Sequence, residues 1–173
     1  EGTYPLPEAQ LDRFFFKLQV GYSSRSDLAE ILDRTTAGYD ASIQQVLDAP
    51  AIVEQQRLVR RVGITPSVQD YAVRLVLATH PDGRFATPNV NQYFRFGASP
   101  RAAQTLVLAG KVRALLDGRT SVAVQDIREI VLPALRHRCL LNFEAEAEGV
   151  STDEVITNIV ETLPTEAAIE QSA

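Results

Sequence analysis

The 173-residue chain contains no methionine and a single cysteine, Cys139. A lone cysteine cannot form a disulfide within the chain, which fits a reducing compartment, and we therefore expect a cytoplasmic protein. No apolar stretch reaches the roughly 18 residues that a membrane-spanning helix needs. The N-terminus lacks the basic and apolar regions of a signal peptide. Because position 1 is not methionine, we expect the chain to be processed or to be a piece of a longer protein.

Basic runs and metal-ligand patterns are missing as well. The net charge is −5 and the sequence pI is about 5.1, with no cluster rich in lysine and arginine, so a general nucleic-acid-binding surface is not expected. The two histidines, His80 and His137, have no partners at metal-ligand spacing, and we predict no metal site. Cys139 has no evident nucleophilic partner and is interpreted as a small buried apolar residue.

Hydrophobic residues make up 45% of the chain, which is enough for one substantial core or for a core plus an appendage. Their spacing predicts a mainly α fold, a bundle of five or six helices preceded by a short loop, helix and strand. Capping boxes at Ser24 and Ser151 mark two helix starts. The helix at 100–116 is apolar on nearly every face and should be central. The predicted helices run over about 24–36, 48–60, from 66 onward, 100–116, 125–138 and 152–163.

The remaining segments are predicted from their turn formers and apolar runs. Phe14 to Val20 is interpreted as a buried strand, and residues 80–97 as a loop. The alternating glutamates of FEAEAEG at 143–149 are interpreted as an exposed acidic turn rather than as paired catalytic carboxylates. Ala123 occupies the cap position before the helix at 125–138, so the start of this helix is expected to fray.

The hexapeptide Gly97-Ala98-Ser99-Pro100-Arg101-Ala102 carries chemistry that a phosphate could use. Ser99 is a good helix N-cap, and Pro100 suits the first helical position. Arg101 then lies at the positive end of the helix dipole, where its planar guanidinium matches phosphate oxygens. Taken alone, the hexapeptide favours the alternative of an ordinary capped helix whose arginine is solvated.

The opening segment EGTYPLPEAQLDRF at 1–14 adds a second arginine. A proline-bearing lead is followed by one short helical turn and then by the apolar run that begins at Phe14. Arg13 lies at this junction, where a side chain on a loop can reach outward. The alternative is a structural arginine paired with Asp12 or Glu8.

Four segments in one order resemble the MoxR-type AAA+ ATPases. They are EGTYPLPEAQLDRF at 1–14, GASPRA at 97–102, LLDGR at 115–119 and LRHRCLLNFEAEAEGVSTDEV at 135–155. The resemblance implies that residues 1–21 are the end of an α/β nucleotide-binding core and residues 22–164 a helical lid, with a loose tail at 165–173. It also implies a homo-hexameric ring that uses ATP to remodel or mature partner proteins. In the family these partners are often von Willebrand factor A-domain proteins.

The same resemblance implies roles for the two arginines. Arg13 matches the arginine finger, which acts on the ATP of the neighbouring subunit. Arg101 matches sensor 2, which touches the γ-phosphate of the subunit's own ATP, with Ser99 and Pro100 beside it at the nucleotide. The basic cluster of Arg136, His137 and Arg138 either fixes the lid against the core or a neighbour, or is a solvated last turn that complements the helix dipole.

The chain departs from the family pattern in two respects. It contains no G-x-x-x-x-G-K-[ST] phosphate loop and no apolar strand that ends in Asp-Glu for Mg²⁺. Mg²⁺ ligands are therefore expected outside this chain, and the chain alone should not hydrolyse ATP. A helical adaptor domain without nucleotide is the alternative function. A DNA-associated AAA+ relative is disfavoured by the acidic balance of the chain.

Overall fold

The computed structural model describes residues 4, 6–38 and 42–166. The predicted mainly α class is confirmed. Within the described residues, nine helices are accompanied by four strands of two or three residues. The helices are α1 (Glu8–Leu11), α2 (Arg25–Thr36), α3 (Ala49–Arg61), α4 (Pro66–Ala78), α5 (Pro88–Tyr93), α6 (Pro100–Leu116), α7 (Val124–Leu135), α8 (Phe143–Glu148) and α9 (Thr152–Thr162). The strands are β1 (Gly63–Ile64), β2 (Phe94–Phe96), β3 (Ser121–Val122) and β4 (Leu140–Leu141).

The chain divides into two compact units. One contains residues 6–17 together with residues 57–166, and the other is Leu18–Gln56. In the second unit, Ser24 and Asp27 form the predicted capping box of α2. On α2, the side chains of Leu28, Ile31 and Leu32 are between 46% and 59% exposed. The division into an end of a core at 1–21 and a lid at 22–164 stays a prediction, and the predicted tail at 165–173 lies mostly outside the described residues.

The core of the first unit is built around α6, which packs on α7 and α4, while α9 covers α7. Helices α6 and α7 approach closely because Gly110 has no side chain: a Cβ there would lie 2.8 Å from Ile127 Cδ1. The predicted central position of α6 is confirmed for the faces that pack against α4 and α7. Its outer face is open to solvent, since Leu108, Val112 and Leu116 are 37% to 74% exposed. The largest fully buried side chains are Tyr71, Leu75, Leu106, Ile127, Leu135, Ile156 and Ile159.

The predicted strand at 14–20 is not formed. A strand requires backbone hydrogen bonds to a neighbouring strand, and in the described residues the Lys17 N–H instead donates to the Pro133 carbonyl of α7 at 2.9 Å. The side chains of Phe14, Phe15 and Phe16 are 36% to 54% exposed. Residues 14–17 are therefore an irregular segment that contacts the end of α7, and the predicted burial of the apolar run is wrong.

Two segments predicted to be irregular contain short structure. Within 80–97, Thr87 caps α5 and the strand β2 pairs antiparallel with β4. Within 143–149, Asn142 caps α8, and Gly149 ends it in the left-handed conformation at φ 73°. Both helices have six residues, too short for a 3.6-residue periodicity to be recognised in the sequence.

Helix α7 begins without a side-chain cap from Ala123, but its first turn is held by another residue. Asp126 accepts a hydrogen bond from the Ala123 N–H at 2.7 Å and two from the guanidinium of Arg119. These bonds lower the pKa of Asp126, the Arg119 bonds contributing most, although its burial acts in the opposite direction. The pair of Arg119 and Asp126 therefore holds the first turn of α7 in the absence of a side-chain cap. The sequence did not indicate this pair.

Asp126→Asn should make the protein less stable at neutral pH and should flatten its loss of stability in acid. A lowered folded pKa gives a stability contribution that is present above the ordinary pKa of 3.8 and is lost as the pH falls through the folded value. Urea unfolding measured between about pH 7 and pH 2 checks this. Asp117→Asn is the control, because Asp117 meets the same arginine but is 53% exposed. An unchanged acid limb in Asp126→Asn would contradict the assignment.

No helix among the described residues has both the length and the hydropathy needed to cross a bilayer.

Candidate functional site

The N-terminus of α6 has the local geometry that the sequence predicts. Ser99 is the N-cap, and its hydroxyl accepts a hydrogen bond from the Arg101 N–H at 3.2 Å. Pro100 occupies the first helical position. The side chain of Arg101 is 53% exposed at this end of the helix. The nucleotide-binding role of these three residues stays a prediction.

The loop before α6 is locked to the end of α4. The Ala98 N–H donates to the Thr79 hydroxyl at 2.9 Å, and His80 Nε2 lies 3.0 Å from the Ala98 carbonyl. Gly97 permits this approach, because a Cβ at this position would lie 2.6 Å from the Thr79 carbonyl oxygen. The start of α6 is thereby fixed by contacts that a larger residue at 97 would break.

Gly97→Ala should destabilise the protein by about 1–3 kcal/mol, as overpacking of a tight contact does. The added methyl group would meet backbone atoms of Thr79, which cannot rotate away. Chemical denaturation of the purified chain gives the change in unfolding free energy. Gly63→Ala is the matched control, because its nearest neighbour would be at an ordinary 3.5 Å. Equal losses in the two variants would contradict the steric argument.

Asp12 joins the opening segment to the start of α6. Its carboxylate accepts from the Ser99 hydroxyl at 2.7 Å and from Arg101 Nη1 at 3.2 Å. Arg138 Nε lies 3.3 Å from the same carboxylate. Burial alone would raise the pKa of Asp12, but the bonds from Ser99 and Arg101 and the charges of both arginines lower it overall. Asp12 is therefore an anion held at the positive end of α6.

Arg13, the next residue, is exposed. Within the described residues its side chain makes no hydrogen bond or ion pair. The alternative in which Arg13 pairs with Asp12 or Glu8 is not observed, because the Asp12 carboxylate is engaged by Arg101 and Arg138. Arg13 is thus a cation directed to solvent from a turn whose other members are held in place.

The basic cluster at 136–138 contacts the opening segment. Arg136 Nη1 donates to the Lys17 carbonyl at 3.3 Å while its guanidinium also pairs with Asp153. His137 Nε2 lies 2.9 Å from the Phe14 carbonyl, and burial lowers the pKa of this histidine. Neutral His137 thus donates through Nε2. The interpretation of the cluster as a solvated last turn is wrong, because α7 ends at Leu135 and the three side chains turn back onto residues 12–17.

Arg138 is the buried member of this cluster, with 7% of its surface exposed. Its guanidinium donates to the carbonyls of Asp12 and Phe14 and to the Thr105 hydroxyl of α6. A pocket of about 260 Å³ lies beside it, with walls that include Asp12, Ser99 and His137. In the sequence, the only indication of this role was that three basic residues follow an apolar helix.

The remaining polar residues singled out in the sequence do not form a second site. Cys139 is buried as predicted, and burial raises its pKa to about 12, so it is an unreactive thiol. Glu144 accepts from Gln92, and Glu148 accepts from the Tyr93 hydroxyl, so both carboxylates join α8 to α5. Among the described residues, no three His, Cys, Asp or Glu side chains are grouped to hold a metal ion.

The donors at the start of α6 are suited to an anionic oxygen group. The hydroxyl of Ser99 and the guanidinium of Arg101 already bind one carboxylate, that of Asp12. The helix terminus adds its positive dipole end. A terminal phosphate has the same chemistry as this carboxylate, with more charge and a third oxygen. The residues present therefore fit the phosphate end of a nucleotide.

Comparison with known proteins gives the class of protein. A family model described as the AAA lid domain matches residues 87–159, which extend from the cap of α5 into α9 and include the start of α6 and the basic cluster. The chain therefore carries an AAA lid domain.

Relatives identify the family within this class. The chain is 36% identical to Chaperone MoxR1 of Mycobacterium tuberculosis over 94% of its own length and 43% of the relative. It is 29% identical to Protein MoxR of Methylorubrum extorquens over 95% of its length and 51% of the relative. A crystal structure of a candidate ATPase from Cytophaga hutchinsonii matches with a TM-score of 0.88 at 34% identity, over 95% of this chain and 50% of that one. The chain belongs to the MoxR-type AAA+ ATPases and corresponds to their C-terminal part, as its motifs predicted. It spans about half the length of these relatives.

Proposed function

We propose that this chain is the lid and finger-bearing part of a MoxR-type ATPase that couples ATP binding and hydrolysis to chaperone-like remodelling of partner proteins. One observation carries the proposal: Arg101 at the start of α6 belongs to the same compact unit as Arg13, whose side chain has no partner among the described residues, and the two are linked through Asp12. One exposed arginine bound to the Asp12 carboxylate and another that directly follows Asp12 in the chain suit a protein that contacts two phosphate groups.

Arg101 acts on the subunit's own nucleotide, as sensor 2. Its half-exposed guanidinium can exchange the Asp12 carboxylate for the terminal phosphate, which carries more negative charge. Ser99 and Pro100 set the start of α6, so the Arg101 side chain and the helix terminus face the same anion. This contact makes the position of the lid sensitive to whether the terminal phosphate is present.

Arg13 acts in the neighbouring subunit, as an arginine finger. A finger neutralises charge on the oxygens of the transferred phosphoryl group in the transition state. The guanidinium of Arg13 is exposed and has no partner among the residues that the structure describes, which supports this role, since a residue with a structural partner within its own subunit would be less free to reach a neighbour.

The remaining parts of the proposal come from the family. The nucleotide is ATP with Mg²⁺, whose ligands are expected outside this chain. The assembly is a homo-hexameric cytoplasmic ring, and its clients are von Willebrand factor A-domain proteins or other proteins. Because the sequence contains no phosphate loop, the chain alone should show only background ATP turnover. A helical adaptor without nucleotide is the alternative, and ATP-independent binding of a client by the chain would favour it.

Subunit mixing tests whether Arg101 acts in its own subunit and Arg13 in the neighbouring one. In the full-length protein, Arg13→Ala and Arg101→Ala should each lower ATP turnover. A mixture of the two should recover part of it, because some interfaces then join an intact Arg101 to an intact Arg13 from the neighbour. If the mixed rings assemble and show no recovery, the assignment of one residue in cis and the other in trans is wrong.

A further inference from the structure

We propose that Arg138 is a positioning residue for Arg13, which it holds to the lid by binding the backbone on both sides of it. This inference depends on the proposed function, in which Arg13 is the arginine finger. It adds that the lid fixes the position of the finger through Arg138, a buried arginine that is distant from Arg13 in the sequence.

The first support is the geometry of the Arg138 guanidinium. Its Nη2 donates to the Asp12 carbonyl at 3.1 Å and to the Phe14 carbonyl at 2.8 Å. These carbonyls belong to the residues immediately before and after Arg13. The backbone of Arg13 is thus held from both sides by one nitrogen, while its own side chain stays exposed.

The second support is the environment of Arg138. A buried guanidinium is tolerated only when its N–H groups are paired and its charge is compensated. Burial lowers the pKa of Arg138, and the Asp12 carboxylate opposes this effect. The same Nη2 also donates to the Thr105 hydroxyl of α6 at 3.2 Å, and Nη1 donates to the Ala134 carbonyl of α7. Arg138 is therefore built into the packed part of the lid and has little freedom to move relative to α6 and α7.

The third support is that neighbouring residues of the opening segment are also bonded to α7 and to the basic cluster that follows it. His137 Nε2 meets the Phe14 carbonyl at 2.9 Å, and the Lys17 N–H donates to the Pro133 carbonyl at 2.9 Å. Residues 6–17 belong to the same compact unit as residues 57–166. Residues 12–17 are therefore attached to the lid at several points.

The arrangement connects two nucleotide sites. Arg138 and Arg101 bind the same Asp12 carboxylate, and Arg13 follows Asp12 in the chain. When Arg101 turns from Asp12 to a phosphate, Asp12 keeps Arg138 as its ionic partner, and the turn before Arg13 loses one of its contacts.

The test is Arg138→Lys in the full-length protein. Lysine retains the charge but has a single nitrogen in place of the planar fork. We expect kcat to fall about 10- to 100-fold, the size of loss that a misplaced catalytic group produces, while KM changes by less than about 3-fold. Arg74→Lys is the matched control: Arg74 is 6% exposed and also donates to backbone carbonyls, those of Pro164 and Thr165, but has no contact with residues 12–17.

Mixing and double mutants separate positioning from a general lid defect. If Arg138 acts through Arg13, Arg138→Lys should recover turnover when mixed with Arg101→Ala and should fail to recover it with Arg13→Ala. Adding Arg138→Lys to Arg13→Ala should cause no further loss, because the finger is already missing. Thr105→Val, which removes a hydroxyl that Arg138 binds, is a milder second variant with the same expected pattern.

Two results would overturn the inference while leaving the proposed function standing. One is an equal fold-loss from Arg138→Lys in the wild-type and Arg13→Ala backgrounds. The other is recovery on mixing with Arg13→Ala, which would place the defect in the subunit's own site. Normal turnover by Arg13→Ala itself would instead refute the finger assignment, and with it the proposed function.

Discussion

Arg13→Ala in the full-length ATPase is expected to lower kcat by about 10³-fold or more, the range attributed to arginine fingers. The reason is electrostatic: the guanidinium offsets negative charge that develops on the phosphoryl oxygens, and alanine leaves it uncompensated. Steady-state ATP turnover at saturating nucleotide gives kcat, and direct nucleotide titration shows whether binding is retained.

Lys17→Ala is the control for this variant. Lys17 is an exposed cation of the same segment, and its contacts with α7 and with Arg136 are made by its backbone, so alanine preserves them. We expect it to change kcat by less than about 3-fold, as a surface substitution away from the reacting group does. Comparable losses in both variants would indicate a general effect of charge in this segment and would refute the finger role.

Leu106→Ala is expected to destabilise the chain by about 2–5 kcal/mol, as truncation of a buried leucine does. Leu106 is 0% exposed in the middle of α6, where it faces the central core of the first unit. The substitution removes its packing contacts and leaves a cavity between helices that cannot fully collapse. Chemical denaturation of the purified chain measures the change in the free energy of unfolding.

Two variants on the same helix define the comparison. Leu108→Ala removes the same side chain from a position that is 37% exposed, and it should lose clearly less stability. Arg101→Ala should also lose little, because Arg101 is half exposed and Asp12 keeps its bonds to Ser99 and Arg138. If Arg101→Ala were the most destabilising of the three, Arg101 would be a structural residue, and the main argument for nucleotide contact would be lost.

The helices were predictable where their limits depend on local contacts. The capping boxes at Ser24 and Ser151 and the Ser99-Pro100 start of α6 involve residues within three positions of each other. Each is visible in the sequence as a short motif. Short helices such as α5 and α8 were missed, because six residues contain less than two helical turns.

The strand predicted at 14–20 was wrong for a different reason. An apolar run rich in phenylalanine indicates a tendency toward extended structure, but a strand also requires a partner at its edge. In the described structure the segment is irregular, and residues 14–17 bond instead to the end of α7 and to the basic cluster that follows it. The sequence indicated an apolar run without indicating what would contact it.

The features of the candidate site likewise divide into those that the sequence determined and those that only the tertiary structure decided. The sequence by itself determined the caps, the start of α6, the exposed position of Arg101 and the family, because each depends on a local motif or on the order of motifs. Only the tertiary structure decided that Asp12 joins Arg101 to Arg138, and that Arg138 is buried against the backbone around Arg13. Asp12 and Arg138 are 126 positions apart, and their meeting depends on how α6 and α7 pack. No local pattern specifies such a contact, since a charged residue looks the same in a sequence whether it ends in solvent or beneath another segment.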